Sequence, residues 1–335
     1  MAAVVCSPGW REPSGHQRNL RADWGHTLMK ILVTGGAGFI GSHIVEHFQS
    51  NGEVRVLDNL RSGFRQNLAG LKHEFIEASI LDREAVRRAV QDMDYVFHLA
   101  ATTSVPESLA KPAECAEINV NGTRVVLEEA AKAGVKKLVF SSTAAIYGDN
   151  PVVPKVETMS PEPKTPYATT KLEGERLCGE FSESGGLPTV CLRYFNVFGP
   201  RQDPASEYAA VIPVFLRRAL THEPITIYGD GKQTRDFIFV QAVAAANAHF
   251  AMQSPAGGVF NVAGGVRMTI NDLAATICDQ TGSRSKLKHL PERAGDVRHS
   301  MASIKRLELT GFVPRGGLAE GLKATADFYG EKLAL

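Results

Sequence analysis

Residues 30–41 read Lys-Ile-Leu-Val-Thr-Gly-Gly-Ala-Gly-Phe-Ile-Gly, and the fold class follows from them. The apolar, β-branched start of this run predicts a short buried strand. Gly36, Gly38 and Gly41 then satisfy the pattern Gly-x-Gly-x-x-Gly, and residues 42–48 have the apolar spacing of a helix. A strand, a glycine-rich turn and a helix in this order predict a dinucleotide-binding turn, in which backbone N–H groups face a pyrophosphate.

A second predicted strand, 54–57, supports this interpretation because it ends at Asp58, about 20 residues after the glycine turn. A carboxylate at this position binds the 2′-hydroxyl of the adenosine ribose. It also repels the extra phosphate of NADP, so NAD is the favoured cofactor. The cation Arg61 lies three residues later and works against that preference.

Further strands and helices alternate along the first half of the chain. Strands are predicted at 95–99 and 137–140, and helices at 83–91 and 118–133. Such alternation predicts an α/β fold with a doubly wound parallel sheet, the Rossmann arrangement. Ligands of these sheets bind at the carboxyl ends of the strands, so we expect the chemistry there.

Composition excludes several other classes of protein. The 335 residues carry a formal net charge of +1, which gives no basic surface for nucleic acid. No apolar run reaches the roughly 18 residues that span a bilayer, so we expect no membrane segment. The five cysteines form no Cys-x-x-Cys pair and the histidines show no metal-ligand spacing, which favours a reducing, cytoplasmic location and no metal. We predict that residues 1–28, with scattered Pro, Gly and Arg, are a disordered extension.

Catalytic side chains are predicted where strand 137–140 ends. Ser141, Ser142 and Thr143 place three hydroxyls at that end. Downstream, Tyr167 and Lys171 lie four residues apart after a proline-rich loop, so they share one face of a helix. A lysine beside a tyrosine favours the phenolate, which is a competent base near neutral pH only if its pKa falls by roughly 3 units from about 10.

With these motifs the chain resembles the extended short-chain dehydrogenase/reductase family, from about residue 30 to about 326. Within that family it is similar to the nucleotide-sugar 4-epimerases of the UDP-glucose/UDP-N-acetylglucosamine type. The resemblance implies an NAD-binding domain at 29–195 and a smaller mixed α/β lobe for the nucleotide sugar at 196–335, with about 237–262 returning to the first domain. It also implies a homodimer that pairs through helices near 107–133 and 166–183.

The same resemblance implies roles at the reacting carbon. Tyr167, as phenolate, would remove the O4 proton of a UDP-hexose while C4 is oxidised by NAD, and a 4-keto sugar would turn before reduction on its other face. Lys171 would bind the nicotinamide ribose, and Thr143 would hydrogen-bond the sugar O4. The other residues implied in NAD binding are Gly35, Gly38, Phe39, Ile40, Gly41, Asp58, Asn59, Ser79, Ile80, Leu99, Ala100, Ala101, Ser141 and Tyr194.

The UDP-sugar is implied to lie across the second half of the chain. Besides Thr143, the residues implied in its binding are Val105, Asn196, Val211, Tyr228, Arg235, Arg293, Asp296 and Ser300. Two arginines suit a diphosphate because guanidinium binds phosphate oxygens in pairs. Ser300 stands where relatives restricted to UDP-glucose and UDP-galactose carry a bulky tyrosine. We therefore expect room for an N-acetyl group, and acceptance of UDP-GlcNAc and UDP-GalNAc.

Two departures and two alternatives accompany the resemblance. Ser79 replaces an aspartate that receives the adenine amino group in many relatives. Ala144 and Ala145 replace the acidic pair that follows the catalytic threonine in related dehydratases, which argues for an enzyme that moves only hydride and a hydroxyl proton.

Another NAD-dependent nucleotide-sugar enzyme, a dehydratase or a reductase, stays open as an alternative. So does a non-catalytic NAD-binding regulator.

Overall fold

The computed structural model describes residues 28–204, 210–292 and 298–333. Within those ranges, no helix combines the length and the apolar character that crossing a membrane requires. The predicted extension 1–28 lies outside the described residues except for its last position.

The first half of the described chain alternates strands with helices. One-turn 3₁₀ helices at Arg65–Leu68 and Ala144–Tyr147 and a π-helical stretch at Glu117–Asn121 interrupt the pattern. The regular elements are β1 (Met29–Thr34), α1 (Phe39–Phe48), β2 (Gly52–Asp58), β3 (Glu74–Glu77), α2 (Arg83–Val90), β4 (Tyr95–His98), α3 (Val105–Ala110), α4 (Pro112–Ala116), α5 (Gly122–Lys132), β5 (Lys137–Thr143), α6 (Pro166–Glu183) and β6 (Thr189–Tyr194).

The second half mixes shorter strands with helices. Its elements are β7 (Val197–Phe198), α7 (Val211–Leu220), β8 (Ile225–Tyr228), β9 (Thr234–Asp236), β10 (Ile238–Phe239), α8 (Val240–Met252), β11 (Gly258–Val262), β12 (Arg267–Thr269), α9 (Ile270–Thr281), β13 (Leu287–Leu290), α10 (Lys305–Glu308) and α11 (Leu318–Leu333).

Seven strands form one parallel sheet in the order β11-β6-β5-β4-β1-β2-β3. This order reverses direction beside β1, where a doubly wound sheet binds its ligand. Because helices cover both faces, the strands are apolar on both sides. Ile31 and Val33 pack toward α1 and α8, whereas Leu32 packs toward α2, α5 and α6. The α/β fold and the parallel sheet predicted from the sequence are confirmed.

A separate apolar core lies under the second half of the chain. Side chains of α7, β8, α9 and α11 form it, with Phe198 and Phe239 from β7 and β10. Three two-stranded sheets, β10-β7, β12-β9 and β13-β8, complete this part. After β10, the chain returns to the large sheet, because α8 packs on α1 and β11 pairs with β6.

Two glycines bring β1 and α1 together. A Cβ on Gly41 would overlap the carbonyl oxygen of Gly35 and stand 2.8 Å from the Cα of Gly36, which are backbone atoms that cannot move aside. Gly35 itself has a φ of +71°, and its own Cβ would meet the backbone nitrogen of Ala100 at 2.7 Å. The tight turn and close helix approach predicted from the glycine pattern are therefore present.

Gly321 and Gly330 of α11 offer a matched test of core packing. A Cβ on Gly321 would lie 2.7 Å from Cζ of Phe198 and 2.8 Å from Cδ2 of Phe239, whereas one on Gly330 would meet nothing within 4 Å. We expect Gly321→Ala to lower the free energy of unfolding by about 1–3 kcal/mol through overpacking. Gly330→Ala should raise it by up to about 1 kcal/mol, since alanine favours the helix. Urea unfolding of both variants measures this, and equal effects would contradict the described packing.

Candidate active site

Loops at the carboxyl ends of β1 to β6 line a cleft of about 620 Å³. The structure brings every residue that the sequence implied for NAD binding to this one cleft, together with Thr143. Sequence reasoning missed several others that line it: Ser62, Gly63, Phe64, Ala78, Thr102, Ile118, Gln202, Asp203 and Ala210. All but Ile118, which lies in the π-helical stretch, are in loops, and none has a distinctive residue pattern, so nothing in the sequence marked them.

The amino end of α1 faces this cleft, and its first backbone N–H groups have no hydrogen-bond acceptor within the helix. Gly38 caps the helix with no side chain, so Phe39, Ile40 and Gly41 keep first-turn N–H groups that have no acceptor within the helix. Those N–H groups and the helix dipole favour an anion. The glycine turn therefore fits the diphosphate of a dinucleotide on the geometry of this chain.

Asp58, at the end of β2, is held by backbone donors. Its Oδ2 accepts from the Ala37 N–H at 3.0 Å, and its Oδ1 accepts from the Leu60 N–H at 2.8 Å. Burial raises the pKa of Asp58, and these two hydrogen bonds lower it. Each carboxylate oxygen has a further lone pair. The side chain can therefore accept hydroxyl groups of a ribose in the cleft.

Arg61 lies on the rim of the same cleft and is paired with two carboxylates. Its Nη1 donates to Oε1 of Glu114 at 2.5 Å and its Nη2 donates to Oε1 of Glu107 at 2.6 Å. These glutamates stand on α4 and α3, after β4, whereas Arg61 follows β2. Because β1 lies between β2 and β4, the ion pairs join the two sides of the glycine turn.

Tyr167 and Lys171 stand on the first two turns of α6, facing the end of β5. The Lys171 ammonium donates to the Ser141 carbonyl oxygen at 2.9 Å and lies 4.9 Å from the centre of the Phe140 ring. Lys171 is 4 % exposed, and Tyr167 is half-buried. Thr165 caps α6 through its hydroxyl, and Pro166 occupies the first turn, so the helix begins directly before Tyr167.

Burial sets the proton affinities of this pair. It lowers the pKa of Lys171 to about 8, because the ammonium is buried away from water. Burial raises the pKa of Tyr167, and a hydrogen bond with the Thr143 hydroxyl lowers it. The free chain therefore does not bring the phenol near neutrality by itself. A positively charged ring bound beside it would favour the phenolate.

Two buried amides support the cleft and were missed from the sequence. Asn119, in the π-helical stretch, accepts from the Thr102 N–H at 2.7 Å and donates to the Thr102 carbonyl oxygen and the Thr170 hydroxyl, both at 3.0 Å. Asn247, on α8, hydrogen-bonds the Tyr194 hydroxyl at 3.0 Å. The signal for Asn119 is the run Asn-Val-Asn-Gly at 119–122 within a predicted helix, since Asn and Gly disfavour a helix interior.

A second cavity of about 300 Å³ adjoins the cleft, and Ala210 lines both. Among the residues implied for the UDP-sugar, four line it: Asn196, Val211, Tyr228 and Arg235. The Asn196 amide donates to the Asp236 carbonyl oxygen at 2.9 Å, and the Arg235 Nη1 to the Thr234 carbonyl oxygen at 2.9 Å. These contacts hold both side chains against β9.

The other residues implied for the UDP-sugar have different locations. Val105 begins α3 and Ser300 follows Arg298 and His299, and neither lines the two cavities. The Ser300 N–H donates to the Thr234 carbonyl oxygen at 3.0 Å, so Ser300 lies beside Arg235. Arg293 and Asp296 lie outside the described residues.

Across residues 28–204, 210–292 and 298–333, no three His, Cys, Asp or Glu side chains come together as a metal site would require.

Relatives with known sequences and solved structures align with nearly the whole described chain. Residues 31–263 match the model of the NAD dependent epimerase/dehydratase family. A UDP-glucose 4-epimerase from Mycolicibacterium smegmatis is 37% identical over 314 residues, which cover 91% of this chain and 99% of that protein.

Two solved structures are each 42% identical to this chain in sequence. Each alignment covers 91% of this chain and 100% of the other chain. One is a UDP-N-acetylglucosamine 4-epimerase from Methanobrevibacter ruminantium in complex with UDP-N-acetylmuramic acid, with a TM-score of 0.88. The other is a UDP-glucose 4-epimerase from Thermotoga maritima with UDP-glucose, with a TM-score of 0.86. On the family match and these identities, the chain belongs to the NAD-dependent epimerase/dehydratase family.

Proposed function

We propose that this chain is an NAD-dependent UDP-sugar 4-epimerase that inverts C4 of a UDP-hexose through a 4-keto intermediate. One observation carries the proposal: the Tyr167 and Lys171 side chains face a cofactor cleft that opens on a second cavity lined by Arg235 and Asn196. The two solved epimerases with bound UDP-sugars support the substrate class.

NAD fits the first cleft through groups of this chain. The glycine turn and α1 would hold the diphosphate, Asp58 a ribose, and Lys171 the nicotinamide ribose. Bound there, NAD supplies the hydride acceptor and donor for sugar C4. The chain's own part is to hold the reacting groups together and to keep water away from them.

Proton transfer at the sugar O4 is assigned to Tyr167. The phenolate takes the O4 proton as C4 is oxidised, and the phenol returns it to O4 when C4 is reduced. Thr143 hydrogen-bonds both Tyr167 and the sugar O4 and thereby directs that proton. Lys171 stabilises the phenolate by its charge, which its contact with the Ser141 carbonyl keeps near the phenol.

The end of β5 and the catalytic side chains argue against two of the alternatives, a dehydratase and a non-catalytic regulator. Ala144 and Ala145 follow Thr143 in a 3₁₀ turn, and neither can protonate a leaving hydroxyl. A dehydratase needs such an acid, so this turn argues against water loss. A complete Thr143, Tyr167 and Lys171 set argues against a non-catalytic regulator.

The second cavity is proposed for the UDP part of the substrate. Arg235 and Asn196 would bind the diphosphate, and Val211 and Tyr228 would enclose the uracil. Val105, Arg293 and Asp296 are assigned to UDP-sugar binding by resemblance to the family. Asp296 would bind the hydroxyl groups of the uridine ribose. Ser300 would lie against the C2 substituent of the hexose.

The remaining predictions concern organisation and location. We propose an NAD-binding domain at 29–195 and a nucleotide-sugar lobe at 196–335, joined again through 237–262. A homodimer through helices near 107–133 and 166–183 is proposed from the family resemblance, and a cytoplasmic location from the cysteine pattern.

Incubation with NAD and a panel of UDP-sugars, followed by NMR of the products, tests the proposed function. We expect interconversion of C4 epimers with no net NADH. Loss of water would identify a dehydratase and net NADH release an oxidoreductase. Absence of turnover would reject catalysis.

Replacement of Tyr167 by Phe should remove the base and leave the cleft intact. We expect kcat to fall by about 10²–10⁴, the usual contribution of a positioned acid–base group, with NAD still bound. Steady-state kinetics and the absorbance of bound cofactor measure both. Tyr95→Phe is the matched control, because Tyr95 begins β4 at the opposite end of the sheet. Unchanged activity in Tyr167→Phe would contradict the assignment.

Pairing with Glu107 and Glu114 is expected to keep Arg61 from the extra phosphate of NADP. The double variant Glu107→Gln/Glu114→Gln should therefore strengthen NADP binding relative to NAD by roughly fivefold, or about 1 kcal/mol, as for one exposed charge pair. Equilibrium exchange of bound NAD against NADP measures the ratio. Adding Arg61→Gln should abolish the gain. A gain that persists without Arg61 would contradict the explanation.

Enlargement of Ser300 tests the substrate-size prediction. We expect the wild-type enzyme to epimerise UDP-GlcNAc, and Ser300→Tyr to lose that activity while it retains UDP-glucose turnover, because the ring would occupy the space of the N-acetyl group. Parallel kinetics with both substrates provide the measurement. Ser300→Ala, which adds no bulk, should keep both activities. Failure of the wild type to accept UDP-GlcNAc would reject the prediction.

A further inference from the structure

A buried ion pair lies on the face of α6 that carries Tyr167 and Lys171, one helical turn beyond Lys171. Glu175, one helical turn after Lys171, receives two hydrogen bonds from Arg193 of β6: Nε to Oε1 at 2.8 Å and Nη2 to Oε2 at 2.7 Å. The Ser142 hydroxyl of β5 donates to the same Oε1 at 2.5 Å. The two charged side chains are only 5 % and 4 % exposed. Glu175 thus joins α6 to two neighbouring strands at one point.

This junction lies beside the reacting groups, and of its three members only Ser142 lines the cleft. Ser142 stands between Ser141, whose carbonyl holds the Lys171 ammonium, and Thr143, whose hydroxyl bonds Tyr167. Glu175 itself lines neither the cofactor cleft nor the second cavity. It therefore joins α6 to the part of β5 that Tyr167 and Lys171 face, from a position one turn further along the helix.

Stability alone is a poor explanation for this arrangement. Removing two charges from water costs several kcal/mol per ion, and apolar residues of similar size often stabilise a core as well or better. A forked pair does provide direction, because two parallel N–H···O bonds allow only one relative placement of the partners. Arg193 is fixed further, since its guanidinium lies 4.8 Å from the centre of the Tyr147 ring. Tyr147 in turn donates to Asn261 of β11 at 2.7 Å.

We propose that Glu175 is a positioning residue for catalysis: through Ser142 and Arg193 it sets the placement of α6 on β5, and so the distance between the Tyr167 phenol, the Lys171 ammonium and the reacting sugar carbon. The proposal rests on the proposed function. Misplacement of reacting groups by about 1 Å can cost about 100-fold in rate. Glu175 acts through its neighbours and contacts neither substrate nor cofactor.

The test replaces Glu175 by Gln, which keeps its size and removes its charge. We expect kcat to fall by about 10- to 100-fold, with KM for the UDP-sugar and the affinity for NAD within about twofold of wild type. The NADH fluorescence that appears on mixing enzyme with UDP-sugar should fall in rate by the same factor, since it reports oxidation at C4 alone.

Glu129→Gln is the matched control. Glu129 on α5 is equally buried, at 3 % exposure, and pairs with Arg83 and Lys132 away from the cleft. It should lower the melting temperature and leave kcat unchanged. If Glu175→Gln lowered only the melting temperature, or weakened KM and NAD binding together with kcat, the positioning role would be rejected.

Ser142→Ala gives a second variant in case Glu175→Gln does not fold. It removes the link to β5 and leaves the ion pair, and it should slow NADH formation by about 3- to 10-fold, equivalent to one hydrogen bond of about 1 kcal/mol. Because Ser142 also lines the cleft, NAD affinity is measured in parallel and should stay within about twofold of wild type. Unchanged NADH formation in this variant would overturn the proposal. A wild-type enzyme without epimerase activity would reject the proposed function, whereas NADH formed with any sugar nucleotide still measures the effect of both variants.

Discussion

The backbone of Gly41 in α1 packs directly against the backbone of Gly35 after β1, and no side chain fits between them. This contact brings the amino end of α1 to the carboxyl edge of the sheet, where its N–H groups stay open. It also sets the separation between the glycine turn and Ala100 after β4, because Gly35 touches that backbone too. The cleft lies between the glycine turn and the loop after β4. The close backbone contacts of Gly35 and Gly41 therefore set its width.

The proposed proton chemistry depends on a second arrangement, in which α6 presents the side chains of Tyr167 and Lys171 to the end of β5. Desolvation acts on them in opposite senses, since it lowers the pKa of Lys171 and raises that of Tyr167. Both shifts disfavour charge in the free chain. A cationic ring that enters beside the phenol then becomes the condition under which the phenol can ionise. Under the proposed mechanism, ionisation of Tyr167 therefore depends on cofactor binding.

The large sheet and the cofactor cleft could be predicted because they depend on local patterns: the glycine turn, Asp58 at a strand end, and the spacing of Tyr167 and Lys171. Glu175 and Arg193 could not, since their partners are separated in sequence and only packing brings them together. A charge within the otherwise apolar run 189–194 was the available signal, because a buried arginine requires a partner. Ser300 could be assigned a role only by resemblance, since its neighbour Thr234 is far away in sequence.

The return of the chain to the sheet through β11 also has a consequence for biosynthesis. While the protein is made, β6 emerges with one edge unpaired, and its neighbour follows only after about 60 further residues, the distance from 194 to 258. The intervening residues form β7 to β10, α7 and α8, whereas α9 and α11 of the second apolar core follow β11. An open strand edge invites pairing with other chains. A nascent chain stopped before residue 258 therefore exposes an edge of β6 that β11 covers in the finished protein, and such an edge favours aggregation.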